Sequence, residues 1–282
     1  MLKRMIRHLT LILFLLLLVS WSFSYTKFQP AAFREAGNLK NMQAFLLGLW
    51  PPDFSPEFLR TVGKLLLETL AISTAGTALA IMGAIPLTIL ATPPRGEELS
   101  RVAQGTLPWL LRWELYYLSR SLLNLCRAVP ELLWALIFIT AVGLGPFPGV
   151  LALATHSLGI LGKLYAEILE ATDQRLVDTV RATGASELAV LLYARIPVNL
   201  PVLLSYTLFR WECNMRAATV LGFVGAGGIG TQLTLSMQLF AYHEVATLVL
   251  IILLLVLGLD LLGQFIRNSL LNQPITCKDE LE

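Results

Sequence analysis

The chain has 282 residues, of which 56% are hydrophobic and only 14% charged, with a net charge of +2. A soluble domain carries about 25% charged residues, so a water-facing skin is excluded, and the apolar content excludes intrinsic disorder. The near balance of 21 basic and 19 acidic residues leaves no electrostatic footprint for nucleic acid. Cys126, Cys213 and Cys277 form no CxxC pair, so neither a disulfide framework nor a zinc site is expected.

A helix needs about 20 apolar residues to cross ~30 Å of hydrocarbon. Six runs approach that length: residues 9–25, 61–91, 119–143, 150–169, 197–220 and 245–266. They are long and lack period-two alternation, which excludes barrel strands and predicts an all-α integral membrane protein with about six transmembrane helices. The first run has a basic start and a small-x-small Ser22-Phe23-Ser24. Its apolar core is long and no A-x-A site follows, so an uncleaved anchor is expected rather than a signal peptide. The following stretch mixes polar residues with Phe33, Leu39, Met42, Phe45, Leu46 and Leu49, and predicts a surface-lying amphipathic helix ended by Trp50-Pro51-Pro52. Residues 1–60 thus form an anchor segment, 61–269 the membrane core and 270–282 a tail. With the N-terminus cytoplasmic, twelve Lys/Arg fall on the cytoplasmic side and four on the external side. That asymmetry places both termini in the cytoplasm.

Between the fourth and fifth runs, residues 171–196 are polar and patterned. They predict two short helices separated at Gly184, with Leu176, Val177 and Val180 on one face of the first. Thr183-Gly184 supplies a helix stop, Ser186 an N-cap and Glu187 an acidic first turn. Pro197 opens the fifth run where proline is tolerated. Such a segment is either a simple interfacial connector or a rigid knob for a partner.

The spacing Asp178-Thr179-Val180-(three)-Gly184-(nine)-Ala194-x-Ile196-Pro197 resembles the EAA coupling motif of ABC-importer permeases, E-A-A-x3-G-x9-I-x-L-P, with Gly184 and Pro197 matching. Three longer stretches narrow the resemblance to the permease subunits of phosphonate/phosphite ABC importers. They are Arg127-Ala-Val-Pro-Glu-Leu-Leu-Trp-Ala-Leu-Ile-Phe138, His156-Ser-Leu-Gly-Ile-Leu-Gly-Lys-Leu-Tyr-Ala-Glu167 and Arg216-Ala-Ala-Thr-Val-Leu-Gly-Phe-Val-Gly-Ala-Gly-Gly-Ile-Gly230. The resemblance implies the type I ABC-importer permease architecture, a non-catalytic translocation subunit in the bacterial inner membrane, and a second copy of itself as partner. It also implies two ABC ATPase subunits carrying the ATP and Mg, and an external substrate-binding protein. The coupling role would fall to Asp178, Arg181, Ala182, Thr183, Gly184, Ala185 and Pro197. The chain contains no GxxxxGK[ST], so it is not expected to bind ATP itself or to carry any cofactor or metal. The alternatives are the same fold with another cargo (an amino acid or another oxyanion), or a secondary transporter or channel. A membrane-embedded enzyme lacks support, because no HExxH or GxSxG is present and no catalytic residue is expected.

A charge at bilayer depth costs about 2.5–3.5 kcal/mol on insertion scales and needs compensation. Four intramembrane cations have a carboxylate four residues away: Lys64–Glu68, Arg127–Glu131, Lys163–Glu167 and Arg216–Glu212. Arg210 has Tyr206, Thr207, Cys213 and Asn214 at those offsets and no acid. It therefore requires either a partner on another helix or a transported anion, and a guanidinium fork suits a phosphonate-type oxyanion. The candidate substrate pathway comprises Arg210, Glu212, Arg216, Arg127 and His156, with packing as the alternative role for His156. Gly225-Ala-Gly227-Gly228-Ile-Gly230 spells GxGxxG, but no strand precedes it, which excludes a dinucleotide site. These glycines allow a helix break, whose amides could face an anion, and the resemblance places them near an external gate.

Overall fold

The computed structural model describes residues 2–26, 36–93 and 106–271, and every regular element among them is helical. The chain divides into two units, the first ending at Pro51 and the second beginning at Pro52. The first unit holds α1 (Leu2–Tyr25) and α2 (Ala36–Gly48). α1 contains the apolar run Arg4–Tyr25, none of which is buried inside the protein. A helix apolar on all sides belongs in hydrocarbon. α2 carries exposed Leu39, Met42 and Leu46 and stops ahead of Trp50. Phe33 lies outside the described residues.

The second unit is built on α3 (Pro56–Ala91) and α6 (Pro146–Glu170). The buried side of α3 runs through Ile72, Ser73, Gly76, Thr77, Ala80, Ala84 and Thr88, at intervals of one helical turn. α6 answers with Ala152, Leu153 and Leu161. Small residues let membrane helices approach closely. A Cβ added to Gly76 would stand 2.8 Å from that of Leu153, and the Thr88 hydroxyl donates to the Gly162 carbonyl at 3.1 Å. On the other side of α6, Gly159 lies against the backbone of α4 (Thr106–Ala128), where an added Cβ would be 2.5 Å from the Arg127 nitrogen.

The expected span at residues 119–143 is not one straight helix. α4 ends at Ala128, α5 (Glu131–Val142) begins after Pro130, and the two are bent by 92°. Pro130 has no N–H and disfavours helical backbone at Val129, so the α4 hydrogen-bond ladder ends there. Five described helices are long and apolar enough to cross a membrane, or six if the bent pair counts as one span.

The polar segment resolves into α7 (Gln174–Ala182) and α8 (Glu187–Val190). α8 is not a separate helix, as expected, but continues through a π turn at Leu191–Arg195 into α9 (Ile196–Leu221). The wider turn sits where Pro197 removes a donor, and it carries the helix past that position without a break. After a 3₁₀ turn at Gly222–Val224 come α10 (Ile229–Gln238) and α11 (Tyr242–Leu271). Near the end that bears α7 and α8, the α3 C-terminus is clamped by α4. Arg112 donates to the Ile89 and Thr92 carbonyls at 3.3 Å, and Arg120 Nε to the Ala91 carbonyl at 3.1 Å. Cations there complement the helix dipole. Arg120 also pairs with Glu170 of α6.

A further close backbone approach lies between Gly222 and α10, where a Cβ on Gly222 would lie 2.6 Å from the Gly230 Cα. Gly222→Ala is expected to cost about 1–3 kcal/mol through overpacking against backbone that cannot rotate away. Gly258→Ala on α11, where nothing lies within 4 Å, should be neutral or slightly stabilising. Thermal unfolding of the two detergent-solubilised variants checks this, and matching melting temperatures would remove the close approach as a constraint.

Candidate functional site

The α4–α5 break frees backbone carbonyls that hydrocarbon cannot satisfy. Two side chains take them: Trp134 Nε1 donates to the Cys126 carbonyl at 3.0 Å, and His156 Nδ1 reaches the Val129 carbonyl at 3.0 Å. His156 Nε2 lies 3.2 Å from Glu131 Oε2, in the first turn of α5. The imidazole thus bridges the two sides of the break, Nδ1 on the last carbonyl before Pro130 and Nε2 on the first turn of α5.

Next to His156 on α6, the Ser157 hydroxyl accepts from Arg210 Nε at 3.0 Å. Ser157 in turn donates to Asn214 Oδ1 at 2.9 Å, and Asn214 Nδ2 donates to Thr77 Oγ1 at 2.8 Å. Thr77 completes the line by donating to the Ser73 carbonyl at 2.7 Å. Ser73, Ser157 and Asn214 are fully buried. Arg210 itself is half-buried, and among the described residues no carboxylate lies within 4 Å of its guanidinium. Its Nη1–Nη2 edge is left for another partner. Sequence reasoning singled out Arg210 and His156 but missed Ser157, Asn214 and Thr77. Asn214, one turn from Arg210 inside an apolar run, was the available signal.

The remaining pathway candidates are elsewhere. Of the four expected i,i+4 pairs, Lys163–Glu167 forms, at 3.6 Å. Arg127 and Glu131 flank the helix break, so they do not share a helical face, and Arg127 is exposed on α4. Glu212 and Arg216 do not pair with each other but with α11: Glu212 with Arg267 at 3.0 Å, and Arg216 with Asp260 at 3.3 Å. Glu212 is buried and enters the space left by Gly263, whose missing Cβ it would otherwise strike. Glu68 does not pair with Lys64; it turns to the glycine loop.

In that loop, Gly225, Gly227 and Gly228 have φ of +91°, +79° and +74°, conformations that side chains resist. The Gly228 N–H donates to Glu68 Oε1 at 3.1 Å, the Ile229 N–H to Thr69 Oγ1 at 2.9 Å, and the Gly145 N–H to the Gly225 carbonyl at 3.0 Å. The anion faced by the Gly228 amide is thus the protein's own carboxylate. Gly230 serves a different need, the backbone contact with α9 described above.

In the polar segment, Gly184 has φ +82° and closes α7 by donating to the Arg181 carbonyl at 2.8 Å. Asp173 caps α7 through the Arg175 N–H at 2.9 Å, and Ser186 caps α8 through the Ala189 N–H at 3.3 Å. Val177, Val190 and Ala194 bury each other inside the elbow, joined by Val180 and Ala185. Leu176 departs from the expected shared face and points outward, 47% exposed, because adjacent helical residues are 100° apart. Arg181 does not project to a partner: it binds Glu187 at 2.7 Å and Asp178 at 3.5 Å, bracing α7 against α8. The hydrogen bond to Glu187 raises its pKa above the usual arginine value, so the brace stays charged. Asp178, Ala182, Thr183 and Gly184 are exposed, as is Pro197 at the start of α9.

Glu68→Ala should leave the Gly228 amide without its acceptor and cost about 1–3 kcal/mol, whereas Glu68→Gln keeps a carbonyl acceptor and most of the stability. Melting temperatures together with hydrogen exchange at residues 225–229 report the difference. Equal protection in the two variants would show that Glu68 does not hold the loop.

Residues 109–271 match the family model described as binding-protein-dependent transport system inner membrane component. The phosphite transport system permease protein PtxC of Stutzerimonas stutzeri is 42% identical over 77% of this chain and 74% of its own length. The putative phosphite transport system permease protein HtxC of the same organism is 36% identical over 91% of this chain and 84% of its own. Among solved structures, the inward-facing MetNI methionine ABC transporter superposes with a TM-score of 0.64 at 18% identity, over 77% of this chain and 99% of that one. That likeness speaks for the type I permease fold alone. With the broken spans, the polar elbow and these two long alignments in agreement, the chain belongs to the inner membrane components of binding-protein-dependent transport systems.

Proposed function

We propose that the chain is the membrane-spanning subunit of an ATP-driven importer for phosphite, phosphonate or a closely related phosphorus oxyanion. The cargo class is supported by the relatives' names and carried by one observation, the half-buried Arg210 guanidinium without a carboxylate partner among the described residues. A tetrahedral oxyanion meets the Nη1–Nη2 edge with two oxygens, a charge-assisted bidentate contact. Glu212 and Arg216 are neutralised by Arg267 and Asp260 and act in this reading as the tie between α9 and α11. Arg127, exposed on α4, remains the second cation available to the pathway, lining it across a dimer axis.

In this reading two copies of the chain assemble with two ATPase subunits and receive cargo from an external binding protein. The elbow of α7 and α8 is the coupling element. Arg181 stiffens it from within, and exposed Leu188 and Tyr193 give an ATPase a surface to hold. The Lys/Arg distribution supports a cytoplasmic elbow and cytoplasmic termini. The glycine loop at 225–230, latched by Glu68, lies on the opposite side as the external gate.

Two measurements in proteoliposomes with the ATPase and binding protein test the reading. Arg210→Gln should reduce phosphite uptake at least tenfold while complex assembly and basal ATP hydrolysis persist; unchanged uptake kinetics would refute the role of Arg210. Arg181→Ala removes the brace, and its expected effect is a loss of binding-protein stimulation of ATP hydrolysis with basal hydrolysis retained. Full stimulation in Arg181→Ala would separate the elbow's stiffness from coupling.

A further inference from the structure

Arg210 sits at one end of a hydrogen-bonded line whose polarity is fully determined. Arg210 Nε–H donates to Ser157, Ser157 to Asn214, Asn214 to Thr77, and Thr77 to the Ser73 carbonyl. Each hydroxyl has a single proton, and each is already committed to the next acceptor in line. Ser157 therefore presents only lone pairs to Arg210 and cannot turn to donate to a passing anion. The three helices that supply the line, α3, α6 and α9, pack through small residues, and Ser73, Ser157 and Asn214 are shut off from solvent. A line of this kind outside a functional site would only tie helices together, and a hydrocarbon-matched packing residue would serve as well. Here one end is anchored in backbone and the other ends on the cation.

From this geometry we infer that Ser157, Asn214 and Thr77 are positioning residues that fix the orientation of Arg210, so that an oxyanion is met end-on by Nη1 and Nη2. The inference rests on the proposed contact between Arg210 and cargo. Holding Nε removes one of the two forked edges of the guanidinium and leaves one, which sets the direction from which the anion is engaged. It also leaves no hydroxyl free to donate beside the fork, because the Ser157 and Thr77 protons are both spent in the line. The pre-ordered side chain loses less rotamer freedom when the anion arrives.

The test is a double-mutant cycle in the reconstituted complex with ATPase and binding protein, reading radiolabelled phosphite transported per ATP hydrolysed. Ser157→Ala should lower that ratio about tenfold, the scale of one lost hydrogen bond to a charged group. Ser157→Ala combined with Arg210→Gln should be no worse than Arg210→Gln alone, since the serine acts only through the arginine. Asn214→Asp, isosteric but negative, should pull the guanidinium onto itself and lower the ratio at least as far as Ser157→Ala. If Ser157→Ala impairs assembly, the isosteric Thr77→Val carries the same cycle. Additive losses, or a normal ratio in Ser157→Ala with a reduced one in Arg210→Gln, would overturn the inference and leave the Arg210 reading standing. A normal ratio in Arg210→Gln would overturn both.

Discussion

Hydrocarbon offers no hydrogen-bond partner, so wherever this chain interrupts a helix another helix must supply one. Both internal breaks obey that constraint. At Val129–Pro130 the freed carbonyls are taken by Trp134 and by His156 of α6. At the glycine loop the freed amides are taken by Glu68 and Thr69 of α3. The breaks are therefore not loose joints. Each is tied to the α3–α6 pair, whose small-residue interface is the rigid frame of the second unit.

The same scarcity of partners governs charge. Buried Glu212 needs a counter-charge, and Arg267 supplies it, while Asp260 matches Arg216 one turn away. The two pairs join α9 to α11 and leave the bundle neutral there. Glu131 meets His156 at the break. Arg210 differs: its hydrogen bond goes to a neutral hydroxyl, and among the described residues no carboxylate lies within 4 Å of its guanidinium. A neutral hydrogen bond orients a cation without quenching its field, and a carboxylate at the same place would have done both.

The elbow solves a different problem. It carries a mostly polar surface and has to keep its shape outside the bundle. A small apolar core of Val177, Val190 and Ala194, two N-caps and the Arg181 brace make it rigid, and the π turn joins it to α9 as one continuous helical run. Movement of α8 is thereby movement of the helix that bears Arg210.

Length and apolar runs were enough to establish an all-α membrane protein with about six spans, because a span is a local property of some 20 residues. The turn at Gly184, the Ser186 cap and the isolation of Arg210 were legible for the same reason: each depends on neighbours within one or two helical turns. The partners were not. Three of the four expected i,i+4 ion pairs do not form, and Glu68, Glu131, Glu212 and Arg216 take tertiary partners instead, because on a helix that spacing makes a pair possible and only the facing helix decides whether a better partner exists. The 92° bend was hidden in a continuous apolar stretch, although Pro130 marked its place. Ser157, Asn214 and Thr77 lie on three helices far apart in sequence, and no local rule aligns their donors and acceptors. The residue types and the breaks belong to the sequence. Which groups meet across the bundle, and so that Arg210 is left with a hydroxyl and no carboxylate among the described residues, was decided by packing.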